Sequence, residues 1–327
     1  MDKIRWGILA TGRIAHKFAR GLSCLDDAEL IAVGSRRQET ADAFAEEWDI
    51  PHRHASYEAL AADPDVDAVY VATPHPFHKD NSMLCLEAGK AVLCEKPLTV
   101  NARQAEEVIA CARGSGVFLM EAMWTRFLPA IVRLRELLAE GALGEVRMVK
   151  ADFCFRTGWD PKGRLLNPDL AGGGLLDVGV YTLAFASMVF GGPPPEMTSM
   201  AHVGETGVDE QAAMILRYEG GRLGVLTCGV RTAMPHVAYV FGTEKWARVH
   251  APFWKTQGLT IGSADAEEEV IQLPHRENGY EYEAEHVMQC LRGGRTESDV
   301  MPLDESLAIV RTMDALRAEW GLRYPME

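Results

Sequence analysis

The sequence predicts an α/β protein: a parallel sheet wound with helices, followed by an α+β part built on a mostly antiparallel open sheet. Three observations carry this. Up to about residue 121, short near-continuous apolar runs alternate with stretches whose apolar residues recur at helical spacing. Beyond that point, strands of mixed alternation follow one another through turn residues such as Glu219-Gly220-Gly221. The 327 residues also exceed what one hydrophobic core usually organises. Two domains are therefore expected, residues 1–122 and 123–327, with the C-terminal helix a candidate to pack back on the first.

Strands are expected at 4–10, 29–35, 68–73, 91–95 and 117–121, with helices at 38–48 and 101–115 among those between them. Buried parallel strands read as apolar on both faces, and ligands of such sheets bind beyond the carboxyl ends of the strands. A helix over 128–140, ended by Gly141, leads into strands at 197–203, 212–218, 223–230, 237–241 and 247–251. Helical patterns around 176–190, 281–291 and 304–320 cover one face of that sheet and leave the other for solvent or another subunit. No internal repeat or low-complexity segment is present, and Pro193-Pro194-Pro195 reads as a rigid connector.

Composition excludes whole classes of function. With 33 basic against 47 acidic residues the formal charge is −14, which repels nucleic-acid backbones and anionic lipid surfaces. No nucleic-acid partner and no membrane partner are expected. The N-terminus lacks a basic segment followed by a long apolar one, and no apolar run is expected to reach the roughly 18 residues of a membrane span. Seven cysteines, odd in number, scattered and without a CxxC pair, argue against a disulfide framework and a zinc site. A cytoplasmic location fits this usage.

A nucleotide site is read at the first strand-to-helix turn. The stretch from Gly7 to Ala15 carries Ala10, Thr11, Gly12, Arg13 and Ile14 in the place of a GxGxxG/A fingerprint, with alanine in the first glycine position. Gly12 lets backbone approach a pyrophosphate, Ala15 permits close helix-to-strand packing, and the helix N-terminus suits the anion. An ordinary tight turn is the plainer account. Ser35, Arg36 and Arg37 end the second strand where an NAD site places a carboxylate on the ribose diol. Two guanidinium groups and a hydroxyl suit a 2′-phosphate, so NADP is expected and NAD is the lesser fit.

Further motifs follow in order: Thr73-Pro74-His75 through His78, then Glu95-Lys96-Pro97, then Gly172-Gly173-Gly174-Leu175-Leu176-Asp177-Val178-Gly179-Val180-Tyr181. In this set the chain resembles the Gfo/Idh/MocA oxidoreductases, which implies an N-terminal Rossmann domain. The segment from Met120 through Trp124 to Phe127, with Gly172 to Tyr181, is similar to the dimeric dihydrodiol dehydrogenases and the NADP-dependent D-xylose dehydrogenases. The likeness spans both halves of the chain. Ala10 is the departure, and it bears on the turn alone.

The resemblance implies hydride transfer to C4 of a nicotinamide from a secondary or anomeric hydroxyl, with a protein group taking the hydroxyl proton. Lys96 and Tyr181 match the family positions for that work. Free tyrosine titrates near about 10 and lysine near about 10.4, so either must fall by about 2 to 3 units to act as a base near neutrality. An ammonium at Lys96 beside an oxidised ring favours Tyr181 as acceptor, while the same cationic ring and burial favour Lys96. Asp177, four residues before Tyr181, shares its helix face and is expected to orient Lys96 or the substrate; a helix N-terminal acid is the plainer reading.

By the same resemblance Thr73, Pro74, His75, His78, Glu95, Arg126 and Arg164 are expected around the cofactor, and the triple glycine is expected to let backbone approach it. Trp124, Phe155 and Trp254 are the expected substrate wall, with Phe153 and Tyr280 as further candidates. No metal is expected, because no third ligand converges on the His75/His78 pair. The reading is an NADP-dependent dehydrogenase of a small diol or aldose, self-associating as a homodimer through the C-terminal sheet. A cofactor-binding sensor without turnover and a redox glycosidase are the alternatives. Retention of Glu95-Lys96-Pro97 with Asp177 and Tyr181 argues against the sensor.

Overall fold

A computed structural model describes residues 3–265 and 267–327 and divides the chain into two compact units. The first comprises Met1–Trp124 and Arg276–Ser306, the second Thr125–His275 and Leu307–Glu327. The segment returning to the first unit is thus internal, and most of the final helix belongs to the second.

The first unit runs β1 (Ile4–Leu9), α1 (Arg13–Leu22), β2 (Ala28–Gly34), α2 (Gln38–Trp48), β3 (His52–His54), α3 (Tyr57–Ala61), β4 (Ala68–Val71), α4 (His78–Glu87), β5 (Ala91–Glu95), α5 (Ala102–Ser115) and β6 (Leu119–Ala122). The strands form one parallel sheet in the order β3-β2-β1-β4-β5-β6. The order reverses between β1 and β4, so the crevice beyond their carboxyl ends is the switch point where dinucleotides bind in such sheets. β4 and β5 are buried at every position, which is why they read as continuous apolar runs. Through this layer Trp6 meets Phe18 edge-on and Phe18 stacks on Tyr70, with centroids 5.3 and 3.8 Å apart. Strand β3 was not expected: three residues reading His-Arg-His carry no apolar signal.

The second unit opens with α6 (Pro129–Ala139) and β7 (Val146–Cys154), then α7 (Val180–Phe190). There follow β8 (Glu196–Val203), β9 (Asp209–Arg217), β10 (Leu223–Gly229), β11 (Ala238–Gly242), β12 (Trp246–Val249), β13 (Gly258–Gly262) and β14 (Glu269–Gln272). Their order is β14-β13-β12-β11-β7-β10-β9-β8, antiparallel except where β7 meets β10. Helix α8 (Tyr280–Arg292) lies in the first unit, and α9 (Leu303–Glu319) continues into the second.

The stretch Pro168–Phe190, which contains α7, corrects one expectation. By length and composition it is apolar enough to cross a membrane, with a mean hydropathy of 1.5, yet 89% of that window is buried inside the protein. A helix apolar on all sides is a core helix when the fold covers it. On the sheet, Met214 and Leu216 are buried, while Ile215, Met200 and Met148 face outward on register-paired strands. The sheet therefore has one packed face and one open face carrying apolar groups.

Candidate active site

In the first unit the chain leaves β1 through Ala10 and enters α1 at Gly12. Ala10 takes φ +80°, the left-handed region that a Cβ disfavours. Its N–H donates to Gly34 O at 2.9 Å, which fixes the turn against β2. Ala10→Gly is expected to stabilise the protein by about 1 kcal/mol. The readout is a higher urea midpoint at constant m-value; a midpoint that stays or drops refutes strain at this turn.

Gly12 caps α1 in extended conformation, φ −75°, which any residue adopts, and a Cβ there would meet no protein atom within 4 Å. Neither packing nor backbone conformation asks for glycine, whereas a ligand lying on the loop does. No side chain caps α1, its first turn holds no acid, and Ala15 is fully buried. These residues fit the diphosphate of a dinucleotide. Thr11 and Ile14 are half-buried beside the cap, and Arg13 is exposed.

At the end of β2 the Ser35 N–H donates to His54 O at 3.0 Å. The Ser35 hydroxyl lies 2.5 Å from Thr40 Oγ1, which itself donates to Arg37 O. Ser35 therefore gives its proton to Thr40 and closes the turn. Exposed Arg36 and Arg37 carry the positive charge of the segment, and the Arg36 charge partly offsets the rise that burial gives the Tyr57 hydroxyl.

The loops after β4 and β5 are tied together. His78 is fully buried, with ring nitrogens 2.8 Å from both Thr73 O and Pro97 O, so it clamps the two loops. Thr73 Oγ1 accepts from Asn81 Nδ2 at 3.2 Å. Pro74 precedes His75, which is buried, its ring 5.7 Å from that of His78. Lys96 is half-buried and its peptide bond to Pro97 is cis. Buried Glu95 accepts the Tyr70 hydroxyl at Oε1 and the Lys96 N–H at Oε2, 3.1 Å away. Fully buried Glu121 accepts the Leu98 N–H at 2.9 Å, so carboxylates fix the Lys96–Pro97 turn at both ends. Burial pushes the Glu95 carboxyl up, and the Lys96 charge opposes it.

Glu283 on α8 escaped the sequence reading. It is fully buried, and neither of its carboxylate oxygens has a hydrogen-bond partner among the described residues. Burial, then the Glu95 charge, push its carboxyl up. Glutamates at 281, 283 and 285 read as acids at a helix start, so nothing marked the middle one. Trp124 is 2% exposed and stacks on Tyr280 with centroids 4.3 Å apart, both rings lying in the first unit.

In the second unit, the start of the helical stretch expected over 176–190 is not regular α-helix. One π-helical turn, Leu175–Gly179, precedes α7, and such turns recur at functional sites. Asp177 is buried and bound by Arg164 through both oxygens, at 2.8 and 3.4 Å. Arg164, expected on the cofactor, pairs with the acid expected to orient the substrate. Arg126, 3% exposed, donates from Nη2 to Ala184 O in α7 at 2.8 Å.

Tyr181 is 7% exposed, its ring 5.4 Å from that of Phe153. Phe153 stacks on half-buried Trp254 with centroids 4.9 Å apart, and Thr125 holds the Trp254 carbonyl at 2.8 Å. Phe155 lies 6.4 Å from Phe153, half-buried. Of the aromatic residues named from the sequence, Phe153, Phe155, Trp254 and Tyr181 thus lie in one ring cluster of the second unit. His236 joins it unannounced: its ring is 5.2 Å from Phe153, its Nε2 2.6 Å from Cys154 O, and its N–H donates to Asp152 Oδ2 at 2.6 Å. It holds φ +63°, and no motif surrounds it in the sequence.

The triple glycine has a protein partner. Gly173 adopts φ +109°, and a Cβ there would lie 2.2 Å from Asp209 Oδ1. Asp209 is fully buried, and its Oδ2 accepts the Leu175 N–H at 2.6 Å. Burial, partly offset by backbone N–H groups, pushes its carboxyl up to about 7. Asp209 therefore holds the start of the turn that bears Asp177 and leads to Tyr181.

Comparison with known proteins agrees with both units. Residues 4–123 match the model of an oxidoreductase family with an NAD-binding Rossmann fold, and residues 131–248 match the GFO/IDH/MocA C-terminal domain. Proteins of Mus musculus and Homo sapiens named trans-1,2-dihydrobenzene-1,2-diol dehydrogenase are each 41% identical, over 99% of this chain and of theirs. Among solved structures, an aldose-aldose oxidoreductase from Caulobacter crescentus complexed with glycerol is 25% identical, with a TM-score of 0.89 and 98% of each chain covered. A 3-ketoreductase from Actinomadura kijaniata, in complex with NADP and TDP-benzene, is 28% identical with a TM-score of 0.86, covering 97% of this chain and 98% of its own.

Proposed function

Because the chain belongs to the Gfo/Idh/MocA oxidoreductases, we propose that it is an NADP-dependent dehydrogenase of a small vicinal diol or aldose, a trans-dihydrodiol being the first candidate. The observation that carries this reading is the 41% identity over the whole length with dehydrogenases named for a trans-dihydrodiol. When bound, the nicotinamide supplies the acceptor for a hydride. The chain's own residues do the rest. The loop at Thr11 to Ile14 binds the diphosphate, and Thr73, Pro74, His75, Glu95 and Lys96 line the nicotinamide end, with His78 holding those loops in place. Tyr181 takes the hydroxyl proton, Lys96 supplies the positive charge that favours the phenolate, and Asp177, held by Arg164, orients them or the substrate. Phe155 and Trp254 give an apolar wall for a small uncharged ring. The test follows NADP absorbance with trans-dihydrodiols and aldoses offered separately. Reduction by a diol or an aldose supports the reading, and cofactor binding without reduction across the panel overturns it.

Preference for NADP rests on Arg36 and Arg37. The two guanidinium groups suit a 2′-phosphate dianion through charge-assisted hydrogen bonds, worth together roughly 1.5 to 3 kcal/mol at these exposed positions. Replacing both with alanine is expected to weaken NADPH binding by about 10- to 100-fold and leave NADH binding nearly unchanged, read by fluorescence titration at fixed ionic strength. Equal losses for both cofactors, or tighter NADH binding by the wild type, refute the assignment.

The open sheet face, with Met200 at 83% and Ile215 at 47% exposure, supports a homodimer built on that sheet. The seven free cysteines, five of them buried, support a reducing compartment such as the cytoplasm.

A further inference from the structure

Edge strand β3 carries a cluster of ligating side chains that the dehydrogenase reading does not use. His52 and His54 stand two residues apart, so their side chains leave one face of the strand, while Arg53 leaves the other and approaches Asp42 and Glu46. Asp63, just beyond α3, brings its carboxylate to both imidazoles. Its Oδ2 is 2.7 Å from His52 Nδ1 and 2.9 Å from His54 Nε2. Its Oδ1 accepts the Asp65 N–H at 2.9 Å, and Lys90 Nζ holds its backbone carbonyl at 2.6 Å. The Asp63 side chain is 4% exposed, whereas the imidazoles are 35% and 22% exposed, so the cluster opens to solvent on the histidine side. The two imidazoles and the Asp65 N–H thus meet both oxygens of the Asp63 carboxylate.

We propose that His52, His54 and Asp63 form a binding site for a divalent first-row transition-metal ion, Zn²⁺ foremost. Two imidazole nitrogens and one carboxylate oxygen are the donors such ions prefer, and here the three ligating atoms all lie within 4.8 Å of one another. Around tetrahedral zinc, ligand atoms at about 2.0 to 2.1 Å from the metal lie roughly 3.3 Å apart. The two histidine-to-carboxylate distances must therefore open by about 0.5 Å, a small motion for half-exposed rings on an edge strand. Three protein ligands leave the fourth position to water. Without metal, each imidazole N–H donates to the shared oxygen; with metal, those protons move to the outer ring nitrogens. The site stands whether or not the proposed activity does.

Full-length protein without an affinity tag, stripped by a chelator, is titrated with Co²⁺ and followed by its visible ligand-field absorption, then challenged with Zn²⁺. One Co²⁺ per chain, displaced by Zn²⁺, is expected. His52→Gln and His54→Gln should each weaken Co²⁺ binding at least about 10-fold, while Tm in chelator stays at the wild-type value. Zn²⁺ should raise Tm in the wild type and not in the double variant. Absence of a ligand-field band in the wild type, or the same affinity and stoichiometry in the double variant, overturns the site.

Discussion

Turnover is expected to fall by about 10²- to 10⁴-fold when Lys96 becomes alanine, and similarly when Tyr181 becomes phenylalanine, with NADPH binding largely intact. The Lys96–Pro97 turn is held by backbone N–H groups of Lys96 and Leu98 on Glu95 and Glu121, and by Pro97 O on His78. None of these bonds uses the lysine amine, so the turn should keep its backbone bonds, while buried Glu95 loses the charge that opposes its burial; Tm is measured beside turnover to separate the two effects. Tyr181→Phe keeps the ring against Phe153 and deletes only the hydroxyl. If the two groups serve one proton transfer, the double variant should lose little more than the worse single one, because groups acting as a unit are not additive. Steady-state kinetics over a pH series gives all three numbers. Near-wild-type turnover in either single variant removes that residue from the chemistry, and fully multiplicative losses separate their roles.

Much of this was legible in the sequence because it repeats a local rule. The alternation of apolar strands and amphipathic helices reports burial on both sheet faces, and β1, β2, β4, β5 and β6 lie within a few residues of where it placed them. The Glu95-Lys96-Pro97 and Gly172-to-Tyr181 motifs also drew attention to segments that buried carboxylates hold through backbone N–H groups. What stayed hidden depends on partners distant in the chain. Glu283 becomes a buried carboxyl only once α8 joins the first unit. The pairing of Arg164 with Asp177 depends on a loop with no periodicity. Strand β3, with its two histidines, is too short and too polar to show a period. The glycines were noticed, but their cause was not: Gly173 accommodates Asp209, 36 residues later in the chain, and no spacing rule connects the two.

That contact gives the second large effect. Gly173→Ala places a Cβ at φ +109° and 2.2 Å from Asp209 Oδ1, two independent penalties that together are expected to cost at least about 3 kcal/mol. Asp209→Asn separates charge from packing. In the folded protein the Asp209 carboxyl sits at about 7, above the roughly 3.9 of an unfolded chain. The folded state therefore holds this proton more tightly, so the stabilisation is complete below about pH 4 and is lost as pH rises through about 7. Asparagine cannot ionise and lacks that slope. Urea unfolding of the two proteins at pH 5 and pH 8 should show the wild type losing on the order of 3 kcal/mol relative to the variant across that interval. An unchanged difference would mean that Asp209 is already ionised at pH 5 and that burial does not dominate its environment. Because its Oδ2 holds the Leu175 N–H at the head of the π-turn, the variant should also lower kcat while NADPH binding stays constant. A loss in cofactor affinity instead would place the glycine turn on the cofactor, as the sequence first suggested.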